Sequence, residues 1–283
     1  ARINDPEIVA RLEAVRMDHL LVLGWSQLIG EAVMRTAHKG AIGLHPAPLP
    51  ELRGRAVIPW TILTRRTRTA TSLFWIDEGP DSGDLLAQRF FDVAPDETAR
   101  SLYDKHLRAL EAMLPEVLHT LATGTAPRIP QDHARATWCA KRTAQDGELD
   151  WQRPAEELWT LIRAVGRPYP GAFTRTPAGQ KLTIWTADLV ERAPHIALPG
   201  QIVELANPPS APHRPDPLSP RAKEQLGGMD AGGEGQGEGG RSTARAEPRL
   251  LIACREGFLR ATTWTLDPAT PPLKLHDRLG RTP

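Results

Sequence analysis

Cysteine is almost missing from this 283-residue sequence. Only Cys139 and Cys254 occur, far apart and without metal-ligand spacing, which argues against a disulfide framework and a zinc site. The nine histidines are scattered, with no H-E-x-x-H arrangement, so no metal is expected. No apolar run reaches the length needed to span a bilayer. No signal peptide opens the chain. Excess charge is absent too: the formal net charge is +1, so the whole chain is no electrostatic trap for nucleic acid or membrane. Arg65, Arg66 and Arg68 form one small basic cluster. These absences set an expectation of a soluble, cytoplasmic, metal-free protein without a membrane partner. The oligomeric state is left open. An initiating methionine is also lacking, and Ala1 leads abruptly into helix-like sequence. The expectation is that an upstream segment is missing, and that the chain alone is poorly stable with a sheet edge and an apolar face exposed.

What is present describes an ordinary globular protein, with 40% hydrophobic and 24% charged residues. Ile8, Val9 and Leu12 recur at helical spacing, with Asn4 or Asp5 as cap and Pro6 in the first turn. The runs His19 to Gly24 and Gly40 to His45 read as short buried strands of a parallel sheet, with a helical stretch near Gly30 to Ala37 between them. This rhythm predicts an open α/β sheet, whose ligands bind beyond the carboxyl ends of the strands, and His45 sits at such an end. Two more strands are expected over Thr71 to Asp77 and Leu85 to Val93. The turn-rich acidic loop from Asp77 to Asp84 joins them. A long helix follows from Asp96 to Ala122, with Leu102, Leu110, Val117 and Leu121 among its apolar stripe. The first domain is therefore set at 1–125, and 126–147, which holds Pro127 and Pro130, is a connecting segment.

Beyond about residue 145 the texture changes. A helix over Pro154 to Val165 precedes strand-like runs at Lys181 to Thr186, Gln201 to Leu205, Arg249 to Cys254 and Phe258 to Trp264. They suggest a small β-barrel over 148–265, with 266–283 as a tail. Between Asn207 and Pro248 a Pro- and Gly-rich stretch lacks the apolar residues to offset its ordering entropy, so 207–248 is read as a disordered insertion.

The most informative segment is Gly43-Leu44-His45-Pro46-Ala47-Pro48-Leu49-Pro50, followed by Arg53-Gly54. A second motif, Ile76-Asp77-Glu78-Gly79-Pro80-Asp81-Ser82-Gly83, closes a loop. Together they resemble the two-part signature of the 10-formyltetrahydrofolate-dependent formyltransferases, Asn-x-His-x-Ser-x-Leu-Pro with an Arg-Gly pair and then Asp-x-Gly. Asp81 follows His45 at the spacing that family keeps. Leu161 to Ala164, Pro168 to Phe173, Gly179 to Lys181 and Leu251 to Cys254 are similar to that family's C-terminal domain. The resemblance implies a Rossmann-like domain, incomplete at its start, followed by an OB-like β-barrel. It implies transfer of a formyl group from 10-formyltetrahydrofolate to a primary amine. Two acceptors stay open, a small amine such as a nucleotide-linked amino sugar, slightly preferred, and methionyl-tRNA.

His45 and Asp81 are the expected catalytic pair. A histidine can stabilise the oxyanion that develops when an amine attacks the formyl carbon, and it titrates near neutral pH. A carboxylate beside it would relay or order the proton through water. By the same resemblance the folate rests against Trp25, Ser26, Gln27 and Ile29 and against the backbone of Ile76, Asp77 and Glu78. Trp25 and Ile29 read equally well as core. Arg53 and Arg55 are either loop-fixing or substrate-clamping, with the first preferred. Ser82 reads as a turn former. Trp138, Trp151, Trp159, Trp185 and Trp264 are assigned to packing rather than to base stacking. One departure stands out: the family's asparagine is Gly43 here, and loss of such an oxyanion donor typically costs about 10²–10³ in rate. A replacement donor, a weakened transferase and a specialised branch are all consistent with it. The third draws on Phe74 to Gly79, which resembles the hydrolase domain of 10-formyltetrahydrofolate dehydrogenase, where the asparagine is also lacking. A non-catalytic RNA-binding relic is the remaining reading.

Overall fold

A computed structural model of the chain describes residues 2–25, 27–206, 249–267 and 271–280. The Pro- and Gly-rich stretch at 207–248 lies outside the described residues, as does Ser26. The chain divides into two compact units, Ala1–Glu97 with Ser101–Arg142 and Thr98–Arg100 with Thr143–Pro283.

In the first unit a helix, α1 (Pro6–Val15), leads to strand β1 (His19–Val22). One helical turn, α2 (Glu31–Met34), shorter than its sequence pattern suggests, precedes β2 (Gly40–His45). β1 and β2 run parallel, with Val22 opposite Gly43. The strands β4 (Arg68–Trp75) and β5 (Leu85–Asp92) then join antiparallel, giving the order β1-β2-β4-β5. The sheet is thus mixed, and the direction of β4 places its end, Trp75, opposite Ile42 rather than beside His45.

Alternation along the strands sorts the two faces. Ile42, Leu73, Trp75 and Leu86 pack with Leu110, Met113, Val117 and Leu121 of the long helix α4 (Ala99–Thr123). Gly43 and His45, out of phase with Ile42, occupy the opposite face. Helix α4 starts at Ala99 rather than at Asp96. The Glu97 carboxylate just before it accepts hydrogen bonds from the Ala94 N–H at 3.0 Å and the Ser101 hydroxyl at 2.5 Å. Between β2 and β4 lie a short strand, β3 (Arg53–Gly54), and helix α3 (Val57–Leu63). β3 pairs in parallel with β6 (Trp138–Cys139), so the chain after α4 comes back beside the loop that follows β2.

The second unit holds helix α5 (Ala155–Val165) and five strands, β7 (Ala172–Arg175), β8 (Lys181–Val190), β9 (Ile202–Ala206), β10 (Arg249–Ala253) and β11 (Phe258–Asp267). They form one antiparallel sheet in the order β7-β8-β11-β10-β9. Leu158 and Ile162 of α5, and Leu182, Ile184, Leu250, Ile252 and Leu259 of the sheet, are fully buried. Trp151 and Trp264 are buried as expected, but Trp138 is 57% exposed. It belongs to the two-residue strand β6, whose indole covers an arginine instead of entering a core. The basic cluster also disperses: Arg66 pairs with Glu51 at 2.7 Å, and Arg68 stacks on Phe90.

The two thiols differ. Burial pushes Cys254 up to about 12 and raises Cys139 as well, but Cys139 is only half-buried. With thiolate as the reactive form, a thiol reagent at neutral pH is expected to modify Cys139 first. Cys254 should react only when denaturant is added; two thiols reacting together in the native protein would contradict this.

Candidate active site

His45 closes β2 and is 5% exposed. Its Nε2 lies 2.8 Å from the Leu52 carbonyl, which can only accept, so Nε2 carries the hydrogen. Nδ1 then faces the Asp81 carboxylate at 3.5 Å. The loop between β4 and β5 folds over the sheet to deliver Asp81. Gly83 permits this turn, because a Cβ there would stand 1.8 Å from the Trp75 carbonyl oxygen. Asp81 has φ of +56°, a left-handed conformation that aspartate tolerates better than most residues. Its Oδ2 accepts the Gly54 N–H at 2.8 Å. Thus the residues of the first motif half hold both partners: Leu52 through its carbonyl and Gly54 through its amide.

Ser82 does serve the turn. Its hydroxyl and the Gly79 N–H both donate to Asp77 Oδ1, at 2.7 and 3.1 Å. Arg53, between Leu52 and Gly54, is 3% exposed and fixed inside the loop, while Arg55 is exposed.

Gly43 is where three parts meet. Its register partner Val22 runs into the 23–30 loop. On the other side a Cβ at position 43 would lie 2.7 Å from two ring atoms of Phe74 and 3.2 Å from Ile76 Cγ1. The ring of Phe74, itself 5% exposed, fills the space that a side chain at 43 would need. The substitution of asparagine by glycine is therefore matched by an aromatic neighbour on the adjacent strand, Phe74 of β4, directly opposite Gly43.

The remaining sequence candidates surround this point. Trp25 is 52% exposed, Gln27 is exposed and accepts the Ile3 N–H at 3.1 Å, and Ile29 is half-buried, so neither Trp25 nor Ile29 is core. Ile76 donates its N–H to the Ala41 carbonyl at 2.8 Å, and Asp77 and Glu78 are exposed. The backbone N–H and C=O groups of Asp77 and Glu78 bond to no other described backbone group.

Two residues that the sequence pattern did not single out stand close by. Gln131, buried, donates from Nε2 to the carbonyls of Asp81 at 3.0 Å and Gly83 at 2.6 Å. His106, buried on α4, lies behind the sheet with Nδ1 2.8 Å from the Thr71 hydroxyl. Burial, reinforced by the charge of His45 and opposed by Glu97, pushes its pKa down to about 3. The unfolded chain protonates near 6.5, so this group's contribution to stability is complete above that pH and is lost as pH falls toward 3. About 2 kcal/mol is expected to go between pH 7 and pH 5. Denaturant titrations should show that loss in the wild type and a flatter pH slope in His106→Gln; equal slopes would count against it. Among the described residues, no group of three or more His, Cys, Asp or Glu is placed to hold a metal ion.

Comparison with known proteins gives the family. A family model described as formyl transferase matches residues 1–118, and one described as formyl transferase, C-terminal domain, matches residues 141–208. The chain belongs to the formyltransferase family. A methionyl-tRNA formyltransferase from Symbiobacterium thermophilum is 36% identical over 204 residues, which is 72% of this chain and 62% of that protein. The chain thus spans less than two thirds of that relative's length. Among solved structures, HypX from Aquifex aeolicus in complex with tetrahydrofolic acid aligns at a TM-score of 0.66 and 17% identity, over 92% of this chain and 38% of that one. An N-formyltransferase from Helicobacter canadensis, with folinic acid and dTDP-3-aminofucose, gives 0.52 and 14% over 87% of this chain and 73% of that one. At such identities these two speak for the fold.

Proposed function

We propose that the chain transfers a formyl group from 10-formyltetrahydrofolate to a primary amine, with His45 and Asp81 as the reacting pair. The observation that carries this reading is the approach of His45 Nδ1 to Asp81 at 3.5 Å, with both side chains held by one short loop. With Nε2–H committed to the Leu52 carbonyl, Nδ1 is the ring atom left to exchange a proton, and it faces the carboxylate. A proton on Nδ1 stabilises negative charge developing on a formyl oxygen beside it; Asp81 takes the proton released by the attacking amine and passes it to the folate nitrogen as the bond from that nitrogen to the formyl carbon breaks.

The residues suit the donor. The backbone groups of Asp77 and Glu78, which bond to no other described backbone group, offer donors and acceptors to a pterin edge, and Ile76, Ile29 and exposed Trp25 supply an apolar border. When bound, the folate supplies the formyl group; the chain's own part is to orient it and to manage the proton. For the acceptor, relatives include a methionyl-tRNA formyltransferase and an enzyme solved with a nucleotide-linked amino sugar. Formal charge near neutral favours the small amine, since a tRNA-binding surface gains from excess positive charge.

A second reading, release of formate from the folate without an amine, is favoured by one observation. Gly43 brings no side-chain donor to the site, and Phe74 fills its space.

The deciding assay follows tetrahydrofolate release from 10-formyltetrahydrofolate with and without amine acceptors, charged tRNA and amino-sugar nucleotides in separate arms. Release that requires an amine is expected. Equal release without one would transfer the case to the hydrolytic reading. No release from folded protein would sink both.

A further inference from the structure

The catalytic pair proposed above depends on a turn that is not self-sustaining. Asp81 sits at positive φ, a conformation that non-glycine residues adopt only where the surroundings hold it. Its carboxylate accepts one backbone N–H, from Gly54. Something else must hold the loop.

We infer that Gln131, locked by Arg53, is the positioning residue that sets Asp81 against His45. The Gln131 amide nitrogen has two hydrogens, and its Nε2 donates to the carbonyls of Asp81 and Gly83, which bracket the turn. These two carbonyls converge on one nitrogen only when the loop is folded over the sheet. The amide oxygen accepts from Arg53 at 2.6 Å, so the side chain is fixed at both ends and cannot flip without losing all three bonds.

Arg53 is an expensive anchor. Its guanidinium is buried, and its other partners are His133 Nδ1 at 3.2 Å and the face of Trp138. Its Nε has no partner, and among the described residues no carboxylate oxygen lies within 4.0 Å of its guanidinium nitrogens. A buried cation without a counter-ion is costly to keep, more so than the decoration of a surface loop warrants.

The position in sequence explains the use. Leu52, whose carbonyl accepts the His45 Nε2–H, and Gly54, whose N–H donates to Asp81, are the two neighbours of Arg53. Seating the arginine side chain therefore fixes both backbone groups. The contacts close a ring from His45 to Asp81, through the turn to Gln131, on to Arg53, and back through Leu52 to His45. The segment after α4, which the sequence pattern reads as a connector, supplies the strut of that ring.

The inference rests on the His45–Asp81 reading, and its test separates the two. In the full chain, the His45 ring would be titrated by NMR in the wild type, Asp81→Asn, Gln131→Ala and Gln131→Glu, with formyl release measured in parallel. The titratable neighbours of His45 are Asp81 and, through the sheet, His106, which stays unchanged in every arm. Gln131→Ala should move the His45 midpoint in the same direction as Asp81→Asn. It should also lower kcat by about 10²-fold, the effect of misplacing a reacting group by about 1 Å. KM for the donor should stay within about threefold. Should the alanine variant fail to fold, Gln131→Glu carries the test, since it keeps the shape and the oxygen facing Arg53 and removes the donor nitrogen. A His45 midpoint that follows Asp81→Asn but ignores Gln131 would overturn the inference, as would unchanged kcat in an active enzyme. A wild type without formyl chemistry whose His45 still responds to Gln131 would refute the proposed function and leave the positioning role standing.

Discussion

Asp81→Asn is expected to leave the fold in place and to slow formyl release by about 10²–10⁴-fold, the range over which a positioned acid–base group contributes. The choice of asparagine is deliberate. Asparagine also tolerates positive φ, and its amide oxygen can still accept the Gly54 N–H, so the turn keeps its backbone bonds. What is removed is the negative charge facing His45 and, with it, the capacity to take a proton. Alanine would confound the result, because it neither favours the left-handed region nor accepts the bond. Turnover with saturating donor, read beside a thermal unfolding curve, decides the matter. Retention of activity within about tenfold would remove Asp81 from the chemistry, whatever its distance from His45.

The second large effect concerns Gly43. Introducing the family's asparagine there is expected to damage the protein, because its Cβ would meet Phe74 at 2.7 Å and Ile76 at 3.2 Å in a packed site. Overpacking of this kind costs about 1–3 kcal/mol. Gly43→Asn should therefore lose stability without gaining rate. Paired with Phe74→Ala the side chain has room, and an added donor at the oxyanion is worth about 10²–10³ in rate. The double variant is expected to raise amine-dependent transfer relative to amine-independent release. If Gly43→Asn alone unfolds at the wild-type midpoint, the ring yields easily and Phe74 is not the partner of this substitution.

Much of this site was legible before any geometry. A histidine at the carboxyl end of a buried strand and an aspartate in a glycine-flanked turn form two motif halves at a set separation, and the fold does bring them together. Local composition also marked Ser82 correctly as a turn residue, through the same chemistry that makes Asp77 its acceptor. What escaped is long-range. Gln131 stands in a proline-flanked stretch with no periodicity, and its role exists only because the chain after α4 returns to bond Leu85 through Ile129 and Arg53 through Thr137. Phe74 reads in the sequence as an apolar strand residue and as the start of the hydrolase-like run Phe74 to Gly79, with no contact with Gly43 implied. That it fills the space above Gly43 follows from the antiparallel register of β2 and β4, where the strand pattern predicted only a shared sheet. Trp138 reads in the sequence as a packing residue like the other tryptophans, but a two-residue strand has no interior face to bury it.

The return of the chain after α4 has a practical bearing on where this protein can be divided. A polypeptide stopped at Thr125 would carry both motif halves and the whole of the four-stranded sheet. It would lack Ile129, which bonds to the start of β5, the amide that seats Asp81, and the strand beside which Arg53 and Gly54 lie. Ending after Ala140 instead keeps all three and also the carbonyl that takes the Trp60 indole N–H. Of two such fragments, only the longer should bring His45 and Asp81 together.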